Sequence, residues 1–510
     1  MCIRDRCGAC IDDCVGLCEV GLSARRGAEV LYPKPFGKVT AASVKAYPVD
    51  WSDFNILGTA VGAHGIKADS DVAVFPNVNL ETTLGDDNGA GLKLRMPVLI
   101  PGLGSTKIAR TNWEGLAAGA AVYGIPLTVG ENVVGMDEAA VFQEGKVIDS
   151  PEMRRRIETY RRWQRDDYGG LIVQANVEDD RLGVLEYALR LGADAVEIKW
   201  GQGAKDIGGE VKIVDLKIAQ MLVERGYIVK PDPFDPLVIK GFRLGAFTEF
   251  ERHSRLGMVD EEAFAGRVST LREAGARLIF LKTGAYRFAD LARALAYCSK
   301  YDVDVLTIDA AGGGTGMSPW RMMKEWGIPP VELFQRAYEY AQVLSSSGRH
   351  VPDIVLGGGF ALEDHLFKGL AFGEHHVKAI GMARAPLTAV TASQALWRGI
   401  NEGNQKLRQE NGNSKEKIFV GTRDIKSSLG EQFDEFPVGG IGLYTYFSRI
   451  EQGLAQLMCG SRKFNIQDRR SRPDRDDLVS LTNDAAERTG ISFISDLDRE
   501  IGLEILNGHH

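Results

Sequence analysis

From Arg95 onward the chain repeats one pattern: a short apolar, β-branched run, a Gly- or polar-rich break, and a stretch whose apolar residues recur every three or four positions. The apolar runs are PVLIPG (97–102), IPLTVGEN (125–132), LIVQAN (171–176), AVEIKWGQG (195–203), LIFLKTG (278–284), VLTIDAAGGG (305–314), DIVLGGG (353–359) and KAIGMAR (378–384). Apolar runs without polar alternation are what strands buried on both faces show. The segments between them, such as NWEGLAAGAAVYG, EEAFAGRVSTLREAG and LEDHLFKGLAFG, have helical periodicity, which predicts parallel crossovers. Eight such units over about 300 residues predict an α/β fold, a (β/α)8 TIM barrel with insertions. An open doubly wound sheet is the structural rival.

Four segments follow from this pattern. Residues 1–6, MCIRDR, read as a translated sequencing-adaptor scar. Residues 7–94 form an N-terminal segment that carries a cysteine cluster, and residues 95–400 form the barrel. Residues 401–510 are a short helical extension expected to pack on it, with GGIGLYTYFSRIEQGLAQLMCG as a packed helix and the charged QDRRSRPDRDD as a solvated turn.

Composition narrows the function. With 44% hydrophobic and 25% charged residues over 510 positions, the chain has the balance of a soluble globular protein. A net charge of −8, without a basic block interleaved with aromatics, argues against a nucleic-acid or anionic-membrane partner and for a small-molecule substrate. No uncharged run approaches membrane-spanning length and no secretory signal opens the chain, so the cytoplasm is the expected compartment.

In a barrel, the residues just after each strand surround the working end. The stretch LTIDAAGGGTGMSPW places Gly312, Gly313, Gly314 and Gly316 there, where bare backbone N–H groups can converge on an anion. Ser318 suits an N-cap and Pro319 the first helical position, which would aim a helix N-terminus the same way. LGGGFALEDHL repeats the device with Gly357, Gly358 and Gly359, and IGMARAPL adds Gly381. Tight turns are the alternative use of each glycine run. Other strand ends contribute Lys199, Lys205, Lys282, Glu131 and Asn132, and cations at one mouth suit a dicarboxylate and a reduced ring cofactor. Structural pairing with acids is the other reading of those lysines. Asp309 would orient a ligand hydroxyl or anchor its own loop.

At VGENVVG, EIKWGQGAKDIGGE and GGGTGMSP the sequence resembles the FMN-binding synthase barrel of the glutamate synthase family, over roughly residues 95–390. The resemblance implies an FMN whose phosphate sits on the backbone around Gly358, Gly359, Gly381 and Met382. Lys282 would lie beside the ring's pyrimidine edge, with Gly102, Gly104, Gly313, Gly314, Thr315 and Gly316 in the same cofactor set. It implies that Lys199, Lys205, Glu131 and Gln202, with Gly203 in the same motif, hold 2-oxoglutarate or its imine, and that the reaction is reductive amination to L-glutamate. Oxidation of another amino or 2-hydroxy acid is the rival within the flavin class. A non-catalytic or electron-relay subunit of a larger complex is the rival outside it.

The family's cysteine-rich loop after the last strand is replaced here by APLTAVTASQALWRG, which has no cysteine, and no glutaminase domain is present in the sequence. Separate electron-donor and ammonia-supplying proteins are therefore the expected partners, in a homo- or hetero-oligomer. Cys7, Cys10, Cys14 and Cys18 follow C-x2-C-x3-C-x3-C, a set that can hold an iron–sulfur cluster or zinc. The same positions also fall on one helical face, where cysteine packs as a small apolar residue. Disulfides are the third reading. His365, His375 and His376 sit on or near a helix expected at the surface, with no carboxylate pattern to make them metal ligands.

Overall fold

All eight apolar runs are strands of one barrel. A computed structural model describes residues 46–508, apart from 68, 70, 72–76, 86–88, 90, 202–210, 256, 258, 312 and 314–319. The strands are β1 (Val98–Leu103), β2 (Leu127–Val129), β3 (Leu171–Ala175), β4 (Ala195–Lys199), β5 (Ile279–Thr283), β6 (Val305–Asp309), β7 (Asp353–Gly357) and β8 (Val377–Gly381). They pair in parallel in sequence order, and β8 returns to β1 through Ile380↔Val98 and Gly381↔Leu99, which excludes the open sheet. Every residue of β2, β3, β5 and β6 is buried, as an uninterrupted apolar run requires when helices cover the outside.

The outer helices after the eight strands are α1 (Lys107–Tyr123), α2 (Pro151–Trp163), α3 (Val184–Arg190), α4 (Glu261–Glu273), α5 (Phe288–Lys300), α6 (Pro330–Ser346), α7 (Glu363–Gly373) and α8 (Arg384–Asn401), and some loops carry further short helices, such as Val177–Arg181 after β3. A further helix, α9 (Val438–Gly460), packs against α1 and α8 over the β8–β1 seam. Close approach of α1 and α9 depends on small residues. A Cβ on Gly119 would lie 2.8 Å from Leu443 Cβ and 2.9 Å from the Gly440 carbonyl oxygen. The segment before the barrel also meets the C-terminal extension, since Phe54–Ile56 pairs antiparallel with Leu478–Ser480.

Polarity inside the barrel changes along its axis. Leu99, Ile172, Ala195, Phe280, Val305, Val355 and Ala379 form an apolar cluster of their own with Leu84, Leu92 and Leu94. Those three leucines belong to an antiparallel hairpin, Thr82–Leu84 with Leu92–Leu94, which plugs the N-terminal end of the barrel. Two residues further along the same strands, and so on the same face, stand Gln174, Glu197, Lys282 and Thr307. The floor is oily and the rim is charged.

Between β4 and α4 the chain inserts a three-stranded antiparallel sheet, with Phe250–His253 between Val211–Ile213 and Ile228–Lys230. One sequence expectation needs correction: the stretch 467–477 is not simply a solvated turn. Arg472 is 2% exposed and Asp477 is buried. His376 is likewise buried, and it lies in a 3-10 turn just ahead of β8 rather than on a surface helix.

Gly119→Val is expected to destabilise the protein by about 1–3 kcal/mol, because overpacking a close helix contact outweighs the few tenths recovered from replacing glycine in a helix. A lowered urea midpoint at unchanged m-value would register it.

Candidate functional site

The charged rim is a set of linked pairs. Gln174 donates to Glu197 Oε1, and Thr307 Oγ1 donates to Glu197 Oε2 at 3.2 Å. Burial pushes the Glu197 carboxyl above its ordinary range, against the pull of Lys282, Gln174, Thr307 and Lys199. Above it, Lys282 Nζ stands 3.4 Å from Asp309 Oδ2. Burial alone would lower the Lys282 pKa, but Asp309, Glu197 and then Glu131 outweigh it and keep the ammonium charged. On the adjacent strand, in register with Lys282, Lys199 Nζ lies 2.8 Å from Glu131 Oε2, which also accepts from Asn176 Nδ2 at 3.1 Å. Two ammonium groups therefore face one mouth, each next to a carboxylate.

The inserted sheet adds a wall. Asn132, at φ +63, donates its backbone N–H to Asp179 Oδ2 at 2.8 Å and accepts from Arg252 of the inserted sheet at 3.0 Å. Asn176 Oδ1 caps the backbone of Glu178 and Asp179, each at 3.0 Å. Asp179 is 1% exposed, and its Oδ1 has no partner among the described residues. Burial first, with the charge of Glu131 adding to it, raises its carboxyl to about 7 against the hydrogen bonds from Asn132 and Asn176 and the charge of Arg252.

The glycines divide into two groups. Gly358 (φ +120) and Gly359 (φ +91) hold consecutive backbone conformations that side chains rarely adopt, and a Cβ on Gly359 would meet nothing within 4 Å. Gly359 is open, bare backbone at the rim, whereas a Cβ on Gly358 would lie 3.2 Å from Ala310. Gly381 shows only ordinary contacts, the nearest at 3.5 Å, while the Met382 N–H is committed to the Leu99 carbonyl at 3.0 Å. By contrast, Gly102 lies against Gln174 Oε1 (2.8 Å from an added Cβ), Gly104 against the Glu131 carbonyl (2.5 Å) and Gly313 against Asp309 Oδ1 (2.0 Å). These three let the chain pass close to its own polar groups.

Lys205, Gln202, Gly203, Gly314, Thr315, Gly316, Ser318 and Pro319 lie outside the described residues, as do Cys7, Cys10, Cys14 and Cys18. Among the described residues no cluster of three or more His, Cys, Asp or Glu is arranged to hold a metal, and no helix is long and apolar enough to cross a membrane. Sequence reasoning missed Asn176, Asp179, Arg252 and Arg384. Arg384 opens α8, and Asp309 supports its charge against the lowering effect of burial. The signals were there: acids crowd after the third strand, and Arg384 is the first base after the eighth.

Residues 252–398 match the family model described as the conserved region in glutamate synthase, a stretch that runs from the inserted sheet through β5–β8 into α8. It includes Lys282, Asp309, Gly358, Gly359 and Gly381. No curated protein matches the chain. Among solved structures, the chain is similar to the recombinant flavin-binding domain of baker's yeast flavocytochrome b2 (12% identity, 84% of this chain and 76% of that one, TM-score 0.46). It is also similar to a soluble mutant of the membrane-associated (S)-mandelate dehydrogenase from Pseudomonas putida (14% identity, 84% and 88%, TM-score 0.45).

Asp179 yields a test with a definite sign. A carboxyl held at about 7 in the fold, against an ordinary 3.8, keeps a proton that the unfolded chain has lost. Stability therefore falls as pH rises from about 4 to about 7, by up to about 1.4 kcal/mol per pH unit. Asp179→Asn, which cannot ionise, is expected to flatten that slope; urea midpoints at about pH 5 and about pH 8 compare the two proteins.

Proposed function

We propose that the chain is an FMN-dependent oxidoreductase that reduces 2-iminoglutarate, formed from 2-oxoglutarate and ammonia, to L-glutamate, with electrons and ammonia delivered by separate proteins. The observation that carries the flavin reading is the pairing, on one rim, of positive-φ backbone at Gly358–Gly359, open at Gly359, with the charged, buried ammonium of Lys282. The family match over residues 252–398, which covers both, supports it.

The residues fit such a cofactor. A phosphate needs convergent N–H groups without side chains in front of them, and Gly359 offers that space. A reduced flavin ring carries negative charge, and a lysine whose ammonium is held above its ordinary pKa by Asp309, Glu197 and Glu131 is suited to balance it. When bound, FMN supplies the hydride equivalent.

The rest of the chemistry falls to side chains. Lys199, together with Lys205, binds the substrate carboxylates. Glu131, whose Oε2 already holds Lys199 and Asn176, orients the nitrogen end of the substrate. Because Lys199 ends one strand and Glu131 lies two residues past another, these two hold the substrate in a fixed orientation rather than activating it covalently. The nearly dry interior beneath them, with Glu197 3% exposed, strengthens each charge interaction above it.

Purified protein is expected to be yellow, to release FMN on denaturation, and to change its visible spectrum on adding 2-oxoglutarate. Lys205→Ala should remove the spectral response while leaving the flavin in place. Lys282→Met should slow substrate-linked flavin oxidation by about 10²-fold, the scale of losing one preorganised charge at a reacting centre. Colourless protein that takes up no added FMN would overturn the flavin reading; a glutamate-forming activity untouched by Lys205→Ala would overturn the substrate assignment.

A further inference from the structure

We propose a second anion site on the face of the barrel opposite the mouth, one that takes a phosphoanhydride such as pyrophosphate or the diphosphate of a nucleotide. The turn Glu374–His376 joins α7 to the N-terminal end of β8 and so lies at the floor end of the barrel. Beside it is a cavity of about 620 Å³, a volume in the range of small-molecule sites. Arg469, Arg470, Arg472 and Arg475 of one segment line it, with His64 and His375 from two others.

The argument rests on uncompensated charge. Arg472 is 2% exposed and donates to the Val377 carbonyl, while its Nε has no partner among the described residues. Arg475 spends its donors on neutral acceptors: the carbonyls of Phe372 and Thr489 and the side-chain oxygen of Gln335. Among the described residues, none of the four arginines is within ion-pairing distance of a carboxylate. Burying a guanidinium without a counter-charge is costly. Burial accordingly lowers the Arg472 pKa to about 10, with Asp353 and Glu374 offsetting only part of that.

Three acids, Glu374, Asp474 and Asp476, line the same space against the four arginines, and Asp474 is already paired. Lys463 pairs with both Asp474 and Asp477, and the Glu374 carboxylate accepts from Tyr338 at 2.9 Å and Gln342 at 3.4 Å. Asp476 is exposed at the edge and opposes an anion there. Burial and the neighbouring arginines push His375 down to about 4, so it presents a neutral imidazole to the cavity at neutral pH. Several guanidinium forks around one space match the oxygens of linked phosphates better than a single carboxylate.

Calorimetric titration of the full chain with pyrophosphate and with ADP, in low salt and with saturating FMN present throughout, tests the site. Saturable binding is expected, weakened at least about tenfold in Arg469→Ala/Arg470→Ala, a pair of exposed positions whose removal leaves the buried arginines in place. ADP binding tighter than pyrophosphate would support a nucleotide as the ligand; equal affinity would support recognition of the phosphates alone. No saturable heat, binding equal to that of sulfate at the same ionic strength, or affinity unchanged in the double variant would overturn the proposal.

Discussion

The interior of the barrel depends on one buried carboxyl, that of Glu197. It stands 3% exposed between an apolar floor and a charged rim, with Gln174 and Thr307 hydrogen-bonded to its two oxygens. A carboxyl removed from water costs several kcal/mol unless it is hydrogen-bonded and charge-matched. Lys282 and Lys199, on neighbouring strands, supply the opposing charge. Those lysines are in turn steadied by Asp309 and Glu131. Each charge in the column is thus tolerable only because the next one is there, and the column can form only where the strands are held in register by a closed barrel.

The same logic explains the hairpin beneath and the inserted sheet above. Without Leu84, Leu92 and Leu94 against Phe280 and Val305, water would enter from the N-terminal end and weaken every pair in the column. On the mouth side, Arg252 of the inserted sheet reaches Asn132, which binds Asp179, while Asn176 binds both Glu131 and the start of its own short helix. The insertion therefore acts through side-chain hydrogen bonds on the loop that carries Glu131. It is part of the site rather than an ornament on it.

The barrel is legible because its strands are apolar on both faces, even where only three residues pair, and lie between stretches of helical period. Boundaries are less so. The apolar run spans 125–132, yet the strand ends at Val129; Gly130 still donates to the Leu103 carbonyl at 3.0 Å and sits so close to the Gly102–Gly104 backbone that a side chain would not fit. The inserted sheet leaves no such signal, because its short strands interleave charged with apolar residues, as in FERH and VKI. Glycine runs announced the mouth, but composition does not distinguish bare backbone left open, as at Gly359, from bare backbone filled by a neighbour, as at Gly102, Gly104 and Gly313. That distinction belongs to the third dimension.

Charge at the floor end has the opposite character. At the rim, Lys199 and Lys282 each have a carboxylate partner supplied by the chain. At the floor, Arg472 leans on a carbonyl of β8 and Arg475 on carbonyls of two helices, so their hydrogen bonds are made but their charges are not balanced. A carbonyl dipole satisfies a donor and only partly screens a full charge. The barrel thus pairs the lysines of its mouth with its own carboxylates, while at the floor it pairs Lys463 but leaves Arg472 and Arg475 on carbonyls alone, which is the asymmetry that an anion at the floor would remove.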